Sequence, residues 1–153
     1  YVPVGGGGLL SGIAVAIKAA SPRTRIIGVE PQSEDDACRS FAAGQLLAAE
    51  GPSASMADAI KVQCLGALNF EVISRHVDAM VTVSENEIAR AVLDCFEGNR
   101  LLVEPAGAVA LAAARLDDGE VCDPKLRDHP VVAIVSGGNT TVEFIQSLQG
   151  AHS

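Results

Sequence analysis

Two glycine-rich stretches have the residue types and spacing to bind a small molecule. Gly5, Gly6, Gly7 and Gly8 follow one apolar segment, and Ser136-Gly137-Gly138-Asn139 follows another. Glycine lets several backbone N–H groups approach one ligand, and a following helix adds partial positive charge at its N-terminus. The first stretch therefore predicts a phosphate site. The simpler alternative is a tight packing turn, for which two glycines would suffice.

Two nucleotide-binding motifs do not match the first stretch. The Walker motif requires Lys and then Ser or Thr after its last glycine, whereas Leu9 and Leu10 follow Gly8. The G-x-G-x-x-G motif fails as well, because Leu10 and Ser11 occupy its possible third glycine positions. Glu30 nevertheless stands where dinucleotide folds place a ribose-binding acid, which leaves a nicotinamide enzyme open as an alternative.

Carboxylates form a second candidate site. Glu30, Glu34 and Asp36 lie close together in the sequence, and Mg²⁺ and Ca²⁺ prefer such oxygen ligands. Acidic residues beside a helix start also stabilise the helix without any metal, so both interpretations stay open. A further carboxylate, Glu104, precedes Pro105 at the start of another predicted helix.

Histidines and cysteines indicate no site. The three histidines are scattered, and no two of the four cysteines form a C-x-x-C pair, which disfavours a zinc site or a redox motif. Surface histidines and reduced thiols in the cytosol are the expectation. These residues are His76, His129, His152, Cys38, Cys64, Cys95 and Cys122.

Alternating strands and helices must position these groups. Predicted strands cover 1–4, 24–30, 79–83 and 131–135, and predicted helices cover 9–20, 35–47, 65–76, 88–96, 106–116 and 141–148. Ser84 and Glu87 form a capping-box pattern, and the continuous apolar run at 131–135 predicts a strand buried on both faces. We therefore predict an α/β fold, an open parallel sheet with helices on both faces. Both glycine stretches then lie at the carboxyl ends of strands, where such sheets bind ligands.

Composition fits one globular domain. The chain has 153 residues, 48% of them apolar and 20% charged, and a net charge of −8 disfavours nucleic-acid or anionic-membrane partners. No apolar run is long enough to span a bilayer. The opening residues 1–4 read as the middle of a strand, so we expect a piece of a longer protein. Residues 117–130 are charged and turn-like.

Four segments in order resemble the fold-type-II pyridoxal-phosphate (PLP) enzymes. They are VPVGGGGL at 2–9, GVEPQSEDDA at 28–37, LLVEPAGAVAL at 101–111 and VSGGN at 135–139. The sequence is most similar to the serine/threonine dehydratases (ammonia-lyases) and serine racemases of that group. The resemblance implies a PLP cofactor and the C-terminal part of the large domain, with a tryptophan synthase β-like sheet.

The resemblance also implies roles for single residues. Gly5 to Gly8 and Leu9 would hold the cofactor phosphate, and Ser136 would hydrogen-bond the pyridine nitrogen. Gly137 and Gly138 would let the backbone approach the ring edge, and Asn139 would brace the turn. A neutral hydroxyl at the ring nitrogen makes the ring a weaker electron sink, which favours loss of a β-hydroxyl and hence dehydration.

Three further positions follow from the resemblance. Glu30 and Asp36 would bind Mg²⁺ or Ca²⁺ with the Glu34 backbone carbonyl and water. Glu104 would lie near the substrate and orient it or relay protons, although a carboxylate at a helix start is an equally ordinary interpretation. Ala59 departs from the glycine that relatives often have there, which leaves ring packing and substrate preference in doubt.

The lysine that would bind PLP as a Schiff base is missing. Lys18, Lys61 and Lys125 do not match the family's lysine motif, which belongs to an N-terminal half together with a Ser-x-Gly-Asn substrate loop. We expect this chain alone to be inactive and the intact enzyme to be a homodimer. Threonine, serine, hydroxyaspartate or a hydroxyectoine-pathway intermediate would be its substrate. A racemase and a non-catalytic phosphate- or nucleotide-binding module are the alternatives.

Overall fold

A computed structural model describes residues 1–116 and 130–150. Those ranges contain three strands, six α-helices and one 3-10 turn at Asp58–Ile60. The strands are β1 (Val2–Pro3), β2 (Ile27–Pro31) and β3 (Ala79–Val83), and the helices are α1 (Gly8–Ala20), α2 (Asp36–Ala43), α3 (Ala67–His76), α4 (Glu85–Asn99), α5 (Pro105–Leu116) and α6 (Val142–Gly150).

The three strands form a parallel sheet in the order β1-β2-β3. Gly28 at its centre pairs with Val2 on one side and Met80 on the other. All five residues of β2 are buried, as expected of a central strand with helices on both faces. The predicted α/β class, an open parallel sheet, is therefore confirmed.

Two apolar cores lie on opposite faces of this sheet. The first joins Val29 and Val83 to α4, α5 and α6, and the second joins Val2 and Val4 to α1 and α3. Because side chains alternate along a strand, Val2 and Val4, two positions apart, both belong to the second core. Helix α5 is central to the first core and packs against all three strands.

Alanine and glycine let α5 lie close to its neighbours. Eight of its residues are buried, and all eight are Pro, Ala, Gly or Val. Small side chains of this kind allow a helix backbone to approach a sheet and a turn closely. The start of α4 depends instead on the predicted capping box, in which Ser84 Oγ accepts from Glu87 N and Glu87 Oε2 accepts from Ser84 N.

Most predicted elements are confirmed, with shifted ends. The helix predicted over 35–47 ends at Ala43, because Gly44 adopts φ 66° and Gly44 N donates to Phe41 O. The strand predicted over 24–30 begins only at Ile27, since Thr24 N donates back to Ser21 O in a turn. The turn-like segment predicted at 117–130 falls outside the described residues except for Pro130.

The prediction of a buried strand at 131–135 is wrong. Val131, Val132 and Val135 are 56%, 64% and 39% exposed, and the segment has no regular strand geometry. It does run beside β1, because Tyr1 N donates to Val132 O and Ile134 N donates to Tyr1 O. An apolar run identifies an extended segment, but it does not reveal whether anything covers that segment.

No helix within the described ranges has the length and apolar character needed to cross a membrane. Three of the cysteines are described, all as free thiols: Cys64 is exposed, Cys38 half-buried and Cys95 buried.

Candidate functional site

The two glycine-rich turns meet in one cavity of about 260 Å³ at the carboxyl end of β1. This position agrees with the rule that open parallel sheets bind ligands beyond the ends of their strands. The predicted phosphate-site residues and Ser136 and Gly137 all contribute to its lining. The lining residues are Pro3, Gly5, Gly6, Gly7, Gly8, Leu9, Ala59, Ile60, Glu104, Ala106, Gly107, Ser136 and Gly137.

The first turn requires glycine for space and for conformation. A Cβ on Gly5 would lie 3.0 Å from Ile60 Cα, and Gly7 has φ 86° with a Cβ position 2.9 Å from Leu65 Cδ2. No N–H group of Gly6, Gly7 or Gly8 donates to another described residue. Helix α1 starts at Gly8, so its first N–H groups add to this unpaired donor set.

The second turn also needs glycines where it contacts α5. A Cβ on Gly107 would collide with the Ser136 carbonyl oxygen, and Ser136 N donates to Gly107 O at 3.4 Å. Gly137 has φ 80°, and a Cβ there would lie 2.7 Å from Glu104 Cδ. Ser136 is half-buried and is one of the lining residues.

Glu104 connects this turn to the start of α5. Its Oε2 accepts from Asn139 N at 3.0 Å, and its backbone N donates to Gly137 O at 3.3 Å. Its carbonyl accepts from the N–H groups of Gly107 and Ala108. The Glu104 carboxylate, which accepts from the Asn139 N–H, therefore holds this turn in place. Glu104 also lines a second cavity, of about 430 Å³, beside Asp58 and Thr141.

No lysine of the described segments lines the cavity. Lys18 Nζ pairs with Asp78 Oδ2 at 2.7 Å, and Lys61 Nζ pairs with Asp58 Oδ1 at 2.6 Å. Lys125 lies outside the described residues. The chain thus presents two glycine-rich turns to one cavity, and within the described ranges no lysine contributes to its lining.

The predicted metal ligands are gathered at the end of β2 but do not reach the cavity lining. Glu30, Glu34 and Asp36 are 2%, 5% and 1% exposed. Glu30 accepts from Ala37 N and Cys38 N, whereas Glu34 Oε1 and Asp36 Oδ2 have no hydrogen-bond partner among the described residues.

Burial controls the ionisation of these acids. The pKa of Glu30 is raised to about 8, mainly because burial disfavours the charged form; the Cys38 N–H lowers the pKa, and the neighbouring Asp36 charge adds to the increase. Burial also raises the pKa values of Glu34 and Asp36. No three His, Cys, Asp or Glu side chains of the described residues form a metal site. The predicted set, two carboxylates with one carbonyl, stays a prediction.

The profile of the pyridoxal-phosphate dependent enzyme family matches residues 1–137. This chain belongs to that family. It is 39% identical over 149 residues to the L-threonine ammonia-lyase of Thermotoga maritima, covering 96% of this chain and 35% of that enzyme. It is 41% identical over 139 residues to the serine racemase of Arabidopsis thaliana, covering 90% of this chain and 41% of the racemase.

A solved structure has the same fold. The processed form of threonine deaminase isoform 2 from Solanum lycopersicum superimposes with a TM-score of 0.86 at 32% identity, covering 99% of this chain and 40% of that chain. This family member therefore spans less than half the length of the relatives that it matches.

Sequence reasoning named most of the lining but missed residues that shape it. Ile60 lines the cavity without any motif to mark it, and Pro3 lines it from within the segment 2–9, where it was given no role. Asn69, on α3, donates a hydrogen bond to Gly6 O, although the two residues are 63 positions apart in the sequence. No local pattern predicts such a contact, because it depends on how α3 packs against α1.

We predict that Gly137→Ala in the full-length protein weakens PLP binding by roughly tenfold, about 1.4 kcal/mol. The new Cβ would displace the Glu104 carboxylate and with it the Asn139 contact. A titration of the apoprotein with PLP, followed by absorption, measures the effect.

Gly44→Ala is the matched control. Gly44 has φ 66°, similar to Gly137, but a Cβ there meets nothing within 4 Å. Both substitutions strain the backbone, of order 1–2 kcal/mol, and only one disturbs Glu104. Equal PLP affinities for the two variants would contradict this account of the turn.

A pH dependence follows from Glu30. Its pKa lies above the ordinary value of 4.5, so the folded state keeps a proton that the unfolded state releases between 4.5 and about 8. The free energy of unfolding therefore falls as pH rises through this interval, by at most about 1.4 kcal/mol per pH unit. We expect the free energy of unfolding, measured by denaturation in EDTA between pH 5 and 8, to change less with pH in Glu30→Gln than in the wild type.

The exposed Glu71 on α3 provides the control for this measurement. Glu71→Gln should keep the wild-type slope. If Glu30→Gln also keeps it, burial of Glu30 does not determine how stability varies with pH.

Proposed function

We propose that the intact protein is a PLP-dependent dehydratase (ammonia-lyase) that removes water from a β-hydroxy amino acid, giving a 2-oxo acid and ammonia. The observation that carries this proposal is the cavity in which Gly5 to Gly8 face Ser136 and Gly137. Its lining combines an unpaired set of backbone donors with a neutral hydroxyl. L-threonine, L-serine and hydroxyaspartate are the proposed substrates, with a hydroxyectoine-pathway intermediate as a further candidate.

The lining fits PLP. The N–H groups of Gly6, Gly7, Gly8 and Leu9 are available to a phosphate, and the space beside Gly6 and Gly8 is open, because a Cβ there would meet nothing within 4 Å. Gly137 would allow close approach at the ring edge. When bound, PLP supplies an electron sink for a substrate that has lost its α-proton.

Side chains of this chain would contact the cofactor ring and orient the turn beside it. Ser136 would meet the ring nitrogen with a neutral hydroxyl, which does not hold a proton there as a carboxylate would. Pro3 and Ile60 keep part of the lining apolar and so limit the access of water. Glu104 would orient the ring-edge turn through Asn139 N and is a candidate for proton relay near the substrate.

The amine that binds PLP and removes the α-proton would come from the part of the protein outside this chain. We propose that residues 1–153 are the C-terminal part of the large PLP-binding domain, inactive alone. The intact protein is proposed to be a cytosolic homodimer.

Racemisation of serine is the second candidate function. It is supported by the 41% identity to the Arabidopsis thaliana racemase. A racemase would use the same cavity and differ in delivering a proton from the opposite face of the substrate.

We also propose that Glu30 and Asp36 bind Mg²⁺ or Ca²⁺ together with the Glu34 carbonyl. The support is the buried Asp36 Oδ2, which has no hydrogen-bond partner within the described part of the chain and lies beside two other buried acids. A divalent cation would offset charge that is otherwise costly to bury.

The proposed activity is tested on the purified full-length protein with PLP. We expect 2-oxo acid and ammonia in equal amounts from L-threonine or L-serine, and we expect Ser136→Ala to lower kcat by roughly 10- to 100-fold. Thr140→Ala, four residues along the same segment, is the control and should retain most of the activity.

Product identity separates the candidates. D-serine without 2-oxo acid would replace the dehydratase proposal with the racemase. PLP binding without turnover of any of the four substrates would contradict both, and binding of phosphate compounds without PLP would favour the non-catalytic module.

The cation proposal has its own prediction. Millimolar Mg²⁺ or Ca²⁺ should raise the Tm of the full-length protein, and Asp36→Asn should abolish the shift. Asp35→Asn is the control, because Asp35 is paired with Arg39 at 2.8 Å and is not among the proposed ligands. If the cation raises the Tm of Asp36→Asn as much as that of the wild type, the cation binds elsewhere.

A further inference from the structure

Two donors from the start of α3 hold the carbonyl oxygen of Gly6. Asn69 Nδ2 donates to it at 2.6 Å, and Gly66 N donates to it at 3.1 Å. Asn69 is half-buried, and its Cβ lies 2.9 Å from the position that a Cβ on Gly7 would take. Helix α3 is thus packed directly against the glycine run on the side of these contacts.

Ser11 holds the next carbonyl oxygen. Its Oγ donates to Gly7 O at 2.7 Å, and its backbone N donates to the same atom at 2.9 Å. The Ser11 side chain is buried, with 7% exposure, and also reaches the Asn69 carbonyl at 3.4 Å. The carbonyl oxygens of Gly6 and Gly7, in two consecutive peptide groups, therefore each accept two hydrogen bonds.

These contacts also fix the direction in which the N–H groups of the same peptides point. A trans peptide is planar, so its C=O and the next residue's N–H point in opposite directions. With Gly6 O held toward α3 and Gly7 O held toward Ser11, the N–H groups of Gly7 and Gly8 point away from those partners. Gly7 and Gly8 line the cavity, and neither N–H donates to another described residue.

The same hydrogen bonds strengthen these donors. A carbonyl that accepts hydrogen bonds is polarised, and the N–H of the same peptide becomes a better donor. Four flexible glycines would otherwise lose more backbone entropy on binding an anion than ordinary residues do. Holding the peptides in place before the ligand arrives lowers that cost.

We propose that Asn69, assisted by Ser11, is a positioning residue for the cofactor phosphate: it fixes the Gly6–Gly7 peptide so that the Gly7 N–H is aimed at the phosphate oxygens. Asn69 itself does not line the cavity and acts through the glycine backbone. This inference rests on the proposed PLP function and adds to it a residue that has no place in the quoted motifs.

The test compares PLP with pyridoxal, which lacks the phosphate, on the full-length apoprotein. Asn69→Leu keeps the branched shape and removes the donor, so PLP binding should weaken about 3- to 10-fold while pyridoxal binding stays within about twofold of the wild type. The phosphorus NMR signal of bound PLP should also shift in the variant. Neither readout depends on turnover.

Gln149→Leu is the matched control. Gln149 Nε2 donates to Glu97 Oε1 at 2.6 Å between α6 and α4, so this variant removes an amide donor with the same donor–acceptor distance away from the cavity. It should leave both affinities unchanged. Ser11→Ala removes the second side-chain donor and should weaken PLP in the same phosphate-selective manner.

The outcomes separate this inference from the proposed function. If the wild type binds PLP and Asn69→Leu binds it equally well, the positioning role is overturned and the proposed function stands. If Asn69→Leu weakens PLP and pyridoxal equally, the effect is general loosening and the inference is again overturned. A wild type that does not bind PLP overturns the proposed function itself. If Asn69→Leu does not fold, the PLP and pyridoxal affinities of Ser11→Ala test the positioning role instead.

Discussion

The close approach of α5 to the Ser136–Gly137 turn is the contact on which the site depends. Gly107 has no Cβ, so its backbone touches the Ser136 carbonyl, and Ser136 N donates to Gly107 O. One turn earlier, Glu104 ties the same segment through Gly137 O and Asn139 N. Because α5 also packs on all three strands, this contact fixes the second turn relative to the first. A larger residue at 107 would separate the two halves of the cavity.

Local patterns predicted the parts of the molecule whose physics is local. The capping box at Ser84 depends on two residues three positions apart, and the strand–glycine–helix order of the first turn places it at the carboxyl end of β1. Exposure of Val131 and Val132 was not predictable, since it depends on what lies beside the segment. The contact of Asn69 with Gly6 joins residues 63 positions apart, and no periodicity encodes it.

The end of β2 is built in a way that stability alone would not favour. Three acids are almost wholly buried there, and Glu30 accepts from the backbone N–H groups of Ala37 and Cys38 in α2. Buried charge without a counter-ion is costly, and replacement by apolar residues is often stabilising. Glu30 lies in β2 and Asp36 begins α2, so these acids are held between a strand end and a helix start.

The exposed thiol of Cys64 offers a natural attachment point beside the segment that holds Gly6. Thiolates are the reactive form of cysteine, and burial raises the pKa of Cys38, with a further contribution from Glu30, and also raises the pKa of Cys95. A maleimide dye would therefore modify Cys64 in preference to these two. Cys64 lies two residues before Gly66, so the dye's fluorescence would respond to changes at the glycine run without any engineered label.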